Sequence, residues 1–500
     1  MFYTVIFFSI LILLFLFWDC KKPENFPPGP RWYPIVGCAL QLSQLRLKTG
    51  LFCRVIDELV KTFVNPYGVY GLKIGKDQVV VAYYKNAIQE MGFNEDLDGR
   101  PEGLFYRTRT FNSKKGILLA DEGFWVEQRR FIIRHLKDFG FTRRDIIIFV
   151  QEEAQYLADD IRKRIDKEGG GKSAIIYMQD LFPVFVLNSL WRLMASKRYD
   201  RESDDVMSLL NMFYELLKNV DMIGSMFSQF PFMRYLAPEF SGFNGFVESH
   251  RRFYAFLRQE VEEHRQTLNL DAPPRDLMDA YLQEIAKPGH PESFSDEQLL
   301  SVCLDLFLAG SETTNKSLGF AFLQMAKNPE IQKKAQSELD SVIGRERQPC
   351  WEDKPNLPYC EAIVYEALRF FMGNTFGVPH RALKDTRLCG YHIPKDTMVV
   401  ACFRGMLMNS KDFPDPERFW PDRYFVDGKF KAPDFSAFGY GRHRCMGEML
   451  GKQNIFFFVT TLLQSFTFKI PKGDPIPSDE PIDGVTAGPQ LFNALVEARC

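Results

Sequence analysis

Residues 2–18 form an almost unbroken apolar run with no charged side chain. At roughly 17 residues it sits at the short end of what a membrane-crossing helix needs. After it the pattern changes. Apolar positions recur every three or four residues over most of the chain, as in 146–166 and 203–217, and this period predicts helices. The longest candidate runs from Ser295 to about Lys327, with Ser295 and Gln298 as a capping box and Asn328-Pro329 as its end. At 1.5 Å per residue it is roughly 50 Å long, enough to cross a domain. Strand-like alternation is confined to short stretches. Residues 69–74 and 78–84 flank Gly75-Lys76-Asp77 and predict one hairpin; 386–393 and 397–403 flank Pro394-Lys395-Asp396 and predict another. The expected fold class is mainly α (α+β), a helical body with small peripheral sheets.

The ends of the apolar run refine this picture. No basic segment precedes it and no small-residue cleavage site follows, which disfavours a cleaved signal peptide. Lys21 and Lys22 follow it, which predicts that the C-terminal side faces the cytosol. Phe26-Pro27-Pro28-Gly29-Pro30 is stiff and cannot be helical. The expected organisation is a membrane anchor over 1–19, a proline-rich spacer over 20–30 and one body over 31–500.

Composition excludes more than it identifies. A net charge of −2 carries no signature of nucleic-acid binding. Ten cysteines are scattered without any C-x-x-C pair, so neither a disulfide framework nor a zinc site is expected. Forty-seven phenylalanines suit a large apolar interior and an apolar ligand. The long helix carries an unusual middle, Ala309-Gly310-Ser311-Glu312-Thr313-Thr314. A glycine costs about 1 kcal/mol there, and the acid and threonines need partners. Together they predict a local distortion beside a ligand.

The most specific chemistry lies in Phe438-Gly-Tyr-Gly-Arg-His-Arg-Cys445-Met-Gly447. Gly441 suits a tight turn, and Gly447 lets a flat ligand approach the backbone. A cysteine so framed suits an iron-holding thiolate, which favours O–O cleavage. Three weaker patterns accompany it: Trp125-x-x-x-Arg129, whose members share a helix face and can donate to an anion; Glu366-x-x-Arg369, spaced for an ion pair; and Pro421-Asp422-Arg423-Tyr424.

In this order and spacing they closely resemble the cytochrome P-450 superfamily, over nearly the whole chain after Pro27. The anchor, the proline segment and Met446-Gly447-Glu448 look like microsomal members. Within those the chain resembles insect proteins of the clan that includes vertebrate drug- and steroid-metabolising enzymes. The resemblance implies a single helical domain carrying haem b (iron protoporphyrin IX), with Cys445 as the axial iron ligand. It implies that Trp125, Arg129, His380 and His443 hold the haem propionates. His443 departs from the usual arginine two residues before the cysteine, and its charge depends on pH. Glu366 and Arg369 are implied to form a structural pair completed by an arginine, with Arg423 preferred over Arg418. Thr313 is implied to hold dioxygen by a hydrogen bond and Glu312 to relay protons, with Ala309 and Gly310 leaving room. Substrate contacts are implied for residues 101–116, 222–243, 304–314, 374–378 and 485–491.

No nucleotide fingerprint is present; Gly169-Gly170-Gly171 lacks the strand-to-helix frame. Electrons are therefore expected from a partner, NADPH–cytochrome reductase, with cytochrome b5 as a second donor. Arg129, Arg130, Arg134, Lys137, Arg442 and Arg444 are the expected docking face. The expected activity is NADPH- and O2-dependent monooxygenation of a lipophilic substrate such as a steroid, terpenoid, fatty acid or foreign compound, on the endoplasmic reticulum membrane. Two alternatives stand beside it: a hydroperoxide isomerase or dehydratase needing no external electrons, and a non-catalytic haem sensor.

Overall fold

A computed structural model describes residues 2–141, 144–168, 170–218 and 225–499. Gly169 and residues 222–224 lie outside them. The helices used below are α1 (Phe2–Asp19), α2 (Lys85–Phe93), α3 (Glu122–Leu136), α4 (Arg144–Glu168), α5 (Pro183–Ala195), α6 (Asp204–Lys218), α7 (Phe243–Thr267), α8 (Asp296–Lys327), α9 (Pro358–Met372) and α10 (Glu448–Ser465). The strands are β1 (Val69–Ile74), β2 (Asp77–Ala82), β3 (Ser173–Tyr177), β4 (His380–Arg381), β5 (Thr386–Leu388), β6 (Tyr391–Ile393), β7 (Met398–Ala401), β8 (Phe425–Val426), β9 (Lys429–Phe430), β10 (Phe466–Lys469) and β11 (Asn493–Ala498).

The core is built around α8, which packs against α5, α7, α9 and α10. Its start follows from its sequence. Ser295 accepts from the Gln298 backbone N–H at 3.2 Å, and Asp296 and Glu297 sit at the positive end of the helix dipole. The capping box is only half made. The Gln298 side chain turns away and bonds both backbone groups of Gly116, at 2.8 and 3.1 Å. The expected distortion at Gly310 is absent, for α8 is continuously α-helical. Gly310 serves packing instead: a Cβ there would stand 2.8 Å from Leu190 of α5.

The first predicted hairpin forms between β1 and β2. The second does not form as predicted. Residues 386–393 fold back on themselves as the β5–β6 hairpin. Its turn residues Cys389 and Gly390 both have left-handed φ, of 48° and 82°, which matches the twist of a two-residue hairpin turn. The wholly buried strand β7 instead enters the larger sheet, whose order is β1-β2-β7-β4, and runs parallel to β2. An all-apolar strand belongs in a sheet interior, which a solvent-edge hairpin cannot supply.

Helix α1 is long and apolar enough to cross a membrane. The proline segment after it packs on the body. Gly71 donates to the Pro28 carbonyl at 2.9 Å, and Phe26 and Trp32 are buried. Asp19, the last residue of α1, pairs with the buried Lys73 of β1 and accepts from the Ile35 backbone at 2.7 Å.

One buried group away from the candidate site has a measurable pH signature. His250 of α7 donates through Nδ1 to the Phe246 carbonyl at 2.8 Å, while its Nε2 has no partner. Burial pushes its pKa down to about 3. In the unfolded chain the imidazole titrates near 6.5, so acid favours unfolding from there downward. Between pH 7 and 5 this group alone removes about 2 kcal/mol of stability. His250→Phe is expected to shrink the fall in thermal midpoint between those two pH values; an unchanged fall would show that His250 is not held neutral.

Candidate active site

Cys445 lies in the loop before α10. Its backbone N–H donates to the Phe438 carbonyl at 2.9 Å, closing the loop on itself. Gly439 and Gly441 take left-handed φ values of 79° and 72°. At Gly441 no other residue fits, since a Cβ would lie 1.5 Å from the Gly92 carbonyl oxygen of α2. Cys445 is exposed by area yet burial pushes its thiol pKa up, so the surface it shows faces an internal cleft. The Gly447 N–H and the Arg129 and Arg444 cations oppose that rise without cancelling it. The basic neighbours alone therefore do not make the thiolate; a metal cation held at this sulfur would favour it.

Helix α10 starts three residues after Cys445 and packs against α8. On α8 itself, Ala309 is exposed and Thr313 half-buried, between the buried runs Leu299–Phe307 and Phe320–Ala326. These two residues, one turn apart, open toward the interior space. The Thr313 hydroxyl donates to the Ala309 carbonyl at 2.8 Å. Glu312 points elsewhere. Its carboxylate stands 3.5 Å from Lys316 and accepts from Thr486 at 3.4 Å, and burial pushes its pKa up.

The residues expected to hold carboxylates gather at one edge, where the ring N–H groups of Trp125, His380 and His443 are taken by backbone carbonyls. The Trp125 indole N–H is committed to the Ile117 carbonyl at 3.1 Å, so this donor is not free. Its ring instead stacks on His443, with centroids 3.9 Å apart. His443 is also fully engaged. Nε2 lies 3.0 Å from the Asp98 carbonyl, which can only accept, so Nε2 carries the proton. Nδ1 then accepts from Arg100 Nη2 at 2.9 Å. Burial, with Arg100 and His380 adding, pushes the imidazole far below its usual range. His443 thus has no proton to give a carboxylate; it props up Arg100. His380 donates from Nδ1 to the Leu97 carbonyl at 2.8 Å, and burial lowers it to about 3. Its ring meets that of His443 edge-on at 5.1 Å.

Arg100 is the residue that the sequence patterns missed. It is buried, donates to the Pro379 carbonyl at 3.0 Å and leaves Nε without a partner. Burial lowers it to about 10, so it remains cationic at neutral pH. Arg129 lies over the Trp125 ring at 5.4 Å and donates to the Arg444 carbonyl. Two guanidiniums thus meet no carboxylate by ion pair or hydrogen bond among the described residues. A flat ligand with a metal centre and two carboxylates fits this edge and the Cys445 thiol together.

Behind the loop, Glu366 and Arg369 of α9 form a fully buried bidentate pair, with both contacts at 2.8 Å. Arg423 Nε reaches the same carboxylate at 3.2 Å, and the Trp420 N–H and Tyr424 hydroxyl complete it at 2.8 and 2.9 Å. Arg418 contributes only its carbonyl, to Arg423 and Arg369. Burial would raise the Glu366 carboxyl; the two guanidiniums outweigh it and hold the group below its usual range.

A family model described as Cytochrome P450 matches residues 27–496. The chain belongs to the cytochrome P450 family. It is 56% identical, over all of both chains, to the Probable cytochrome P450 303a1 of Drosophila melanogaster. It is 35% identical to the Farnesoate epoxidase of Bombyx mori, covering 95% of this chain and 94% of that one. Vertebrate relatives include Cytochrome P450 2C1 of Oryctolagus cuniculus, at 31% identity over 97% and 96% of the two chains. As a cytochrome P450 the protein is a haem monooxygenase of the oxidoreductase class, using O2 and a redox partner.

Proposed function

We propose that this P450 inserts one oxygen atom from O2 into a lipophilic substrate, with electrons from NADPH passed through a separate reductase. The observation that carries the assignment is the cleft-facing Cys445 thiol beside the carboxylate-seeking pair Arg100 and Arg129. Cys445 would hold the haem iron, and Arg100 and Arg129 would hold its propionates. When bound, the haem supplies O2 activation, and a thiolate ligand favours O–O cleavage.

The chain's own residues do the proton work. Thr313 presents a hydroxyl one turn from the open Ala309 position, and rotating Oγ1 off the Ala309 carbonyl turns its proton into the cleft. Glu312, with its pKa raised by burial, keeps its proton to a higher pH than an ordinary carboxyl and can act as a proton donor. The two side chains are not in contact, so a proton passing between them crosses by water or by rotation of Glu312. Thr313→Ala is expected to lower product formed per NADPH by at least about tenfold, with peroxide released in its place. Unchanged coupling would exclude Thr313 from proton delivery.

Features of the surface support a location and a substrate class. Helix α1 anchors the chain in the endoplasmic reticulum membrane, with the catalytic body on the cytosolic side. Phe232, Tyr235, Leu236 and Phe240 are all more than half exposed and form a second contact with the lipid surface. A lipophile dissolved in the bilayer thereby has direct access to the enzyme. The name of the Bombyx mori relative puts terpenoid acids first among substrates to try. Arg130, Arg134, Lys137, Arg442 and Arg444 offer basic charge to an acidic reductase or to cytochrome b5.

Turnover assays with and without reductase and NADPH test the function. Product that needs both supports it. Product that needs neither identifies a hydroperoxide isomerase or dehydratase. No product, with ligand-induced change at the haem, identifies a sensor.

A further inference from the structure

Lys316 gives α8 a cation that none of the roles above uses. It lies one turn beyond Glu312, with Nζ 3.5 Å from Glu312 Oε1. The same oxygen accepts from the Thr486 hydroxyl at 3.4 Å. The carboxylate is the enclosed end of the pair and the ammonium the wetter end, with side chains 12% and 22% exposed. The lysine reaches this position by crossing Gly488. A Cβ there would meet Nζ at 2.6 Å and Cδ at 3.1 Å. Gly488 is itself held in place, because its N–H and carbonyl bond Ile482 at 2.9 and 2.7 Å. The path of Lys316 is therefore shaped by a fixed backbone with its side chain omitted.

Few other groups act on Glu312. On its own helix the charged neighbour is Lys316. From the 482–488 segment it faces the Thr486 hydroxyl. From α6 it faces the Tyr214 phenol, whose pKa burial pushes up and which stays neutral at working pH. Lys316 makes the one salt bridge to Glu312 among the described residues. Burial raises the Glu312 pKa, and Lys316 is the strongest influence against that rise.

We propose that Lys316 is a positioning residue, which holds the Glu312 carboxylate toward the 482–488 segment and sets the pH at which Glu312 releases its proton. This rests on Glu312 serving as a proton donor in the monooxygenase reaction. Removing the ammonium leaves a carboxyl that stays protonated to higher pH and is free to turn. Shifting the 482–488 segment moves Thr486 and Gly488 together, so a ligand pressing on it loosens both restraints on Glu312.

The test uses the full-length holoenzyme and Lys316→Met, Lys316→Gln and Lys316→Arg. The protonated Glu312 carboxyl is followed by infrared difference titration, with its band assigned by loss in Glu312→Gln. The expected result is a midpoint raised by about one pH unit, tenfold in proton affinity, in Lys316→Met and in Lys316→Gln. Lys316→Arg is expected to return it close to wild type. Either neutral variant suffices if the other fails to fold. A midpoint unmoved in the neutral variants, or raised equally in Lys316→Arg, overturns the proposal. The second readout is the pH profile of product per NADPH, expected to shift with the infrared midpoint. An infrared shift without a coupling shift upholds the link from Lys316 to Glu312 and removes Glu312 from proton delivery. Loss of reductase dependence in the wild type overturns the monooxygenase assignment and leaves the infrared result standing.

Discussion

A Cys445→Ala chain loses the red-shifted absorption band of its reduced carbon monoxide complex, and all oxygenase turnover with it. That band requires a thiolate on the iron, and the five buried cysteines are not available to supply it. Among the described residues Cys38, Cys53, Cys303, Cys360 and Cys402 are buried. Burial raises all five thiols, Cys53 to about 12, so they remain neutral packing groups. Arg100 and Arg129 are untouched by the substitution, so some haem is expected to stay associated. The position of the band, more than its intensity, is therefore the deciding quantity. A red-shifted band surviving in Cys445→Ala would mean that another residue holds the iron.

Glu366→Gln is expected to destroy haem retention and most of the folded yield. The carboxylate is shared by Arg369, Arg423, Trp420 and Tyr424, and both members of the central pair are fully buried. An amide keeps the shape and removes the charge, leaving two enclosed guanidiniums uncompensated. Breaking a buried ion pair in this way costs about 3–5 kcal/mol, a large part of a domain's stability. The pH dependence has a definite sign. The folded Glu366 pKa lies below its unfolded value, so its stabilisation is present above about pH 4.5 and is lost as pH falls through the lower folded value. Haem content per chain and the thermal midpoint measure the effect. A Glu366→Gln protein with full haem and an unchanged midpoint would show that the cluster is dispensable.

Much of the architecture was legible because its causes are local. The start of α8 is set by Ser295 and its end by Asn328-Pro329, all within a few residues of the boundaries they make. The E-x-x-R spacing places Glu366 and Arg369 on one face, and their bidentate contact needs only the helix. What escaped depends on partners distant in sequence. Arg100 sits in an ordinary Gly-Arg-Pro stretch, and its significance comes from Pro379 and His443, more than 270 residues away. Helical period places Trp125 and Arg129 on one face, but it cannot show that Ile117 takes the indole N–H first. His443 was expected as a donor to carboxylate; two long-range contacts turn it into a neutral support. Gly310 follows the same logic, since its reason is Leu190 on another helix. The strand β7 met two possible neighbours, and burial on both faces chose the sheet.

The most direct test of the central claim is the mass of the product formed under isotopically labelled oxygen gas. Candidate lipophiles, terpenoid acids first, are screened for a change in haem spin state, and the best binder is turned over with reductase and NADPH. One labelled oxygen atom per product molecule, with no product when reductase or NADPH is left out, is the expected result. Product that carries no label, or that forms equally without electrons, would contradict a monooxygenase.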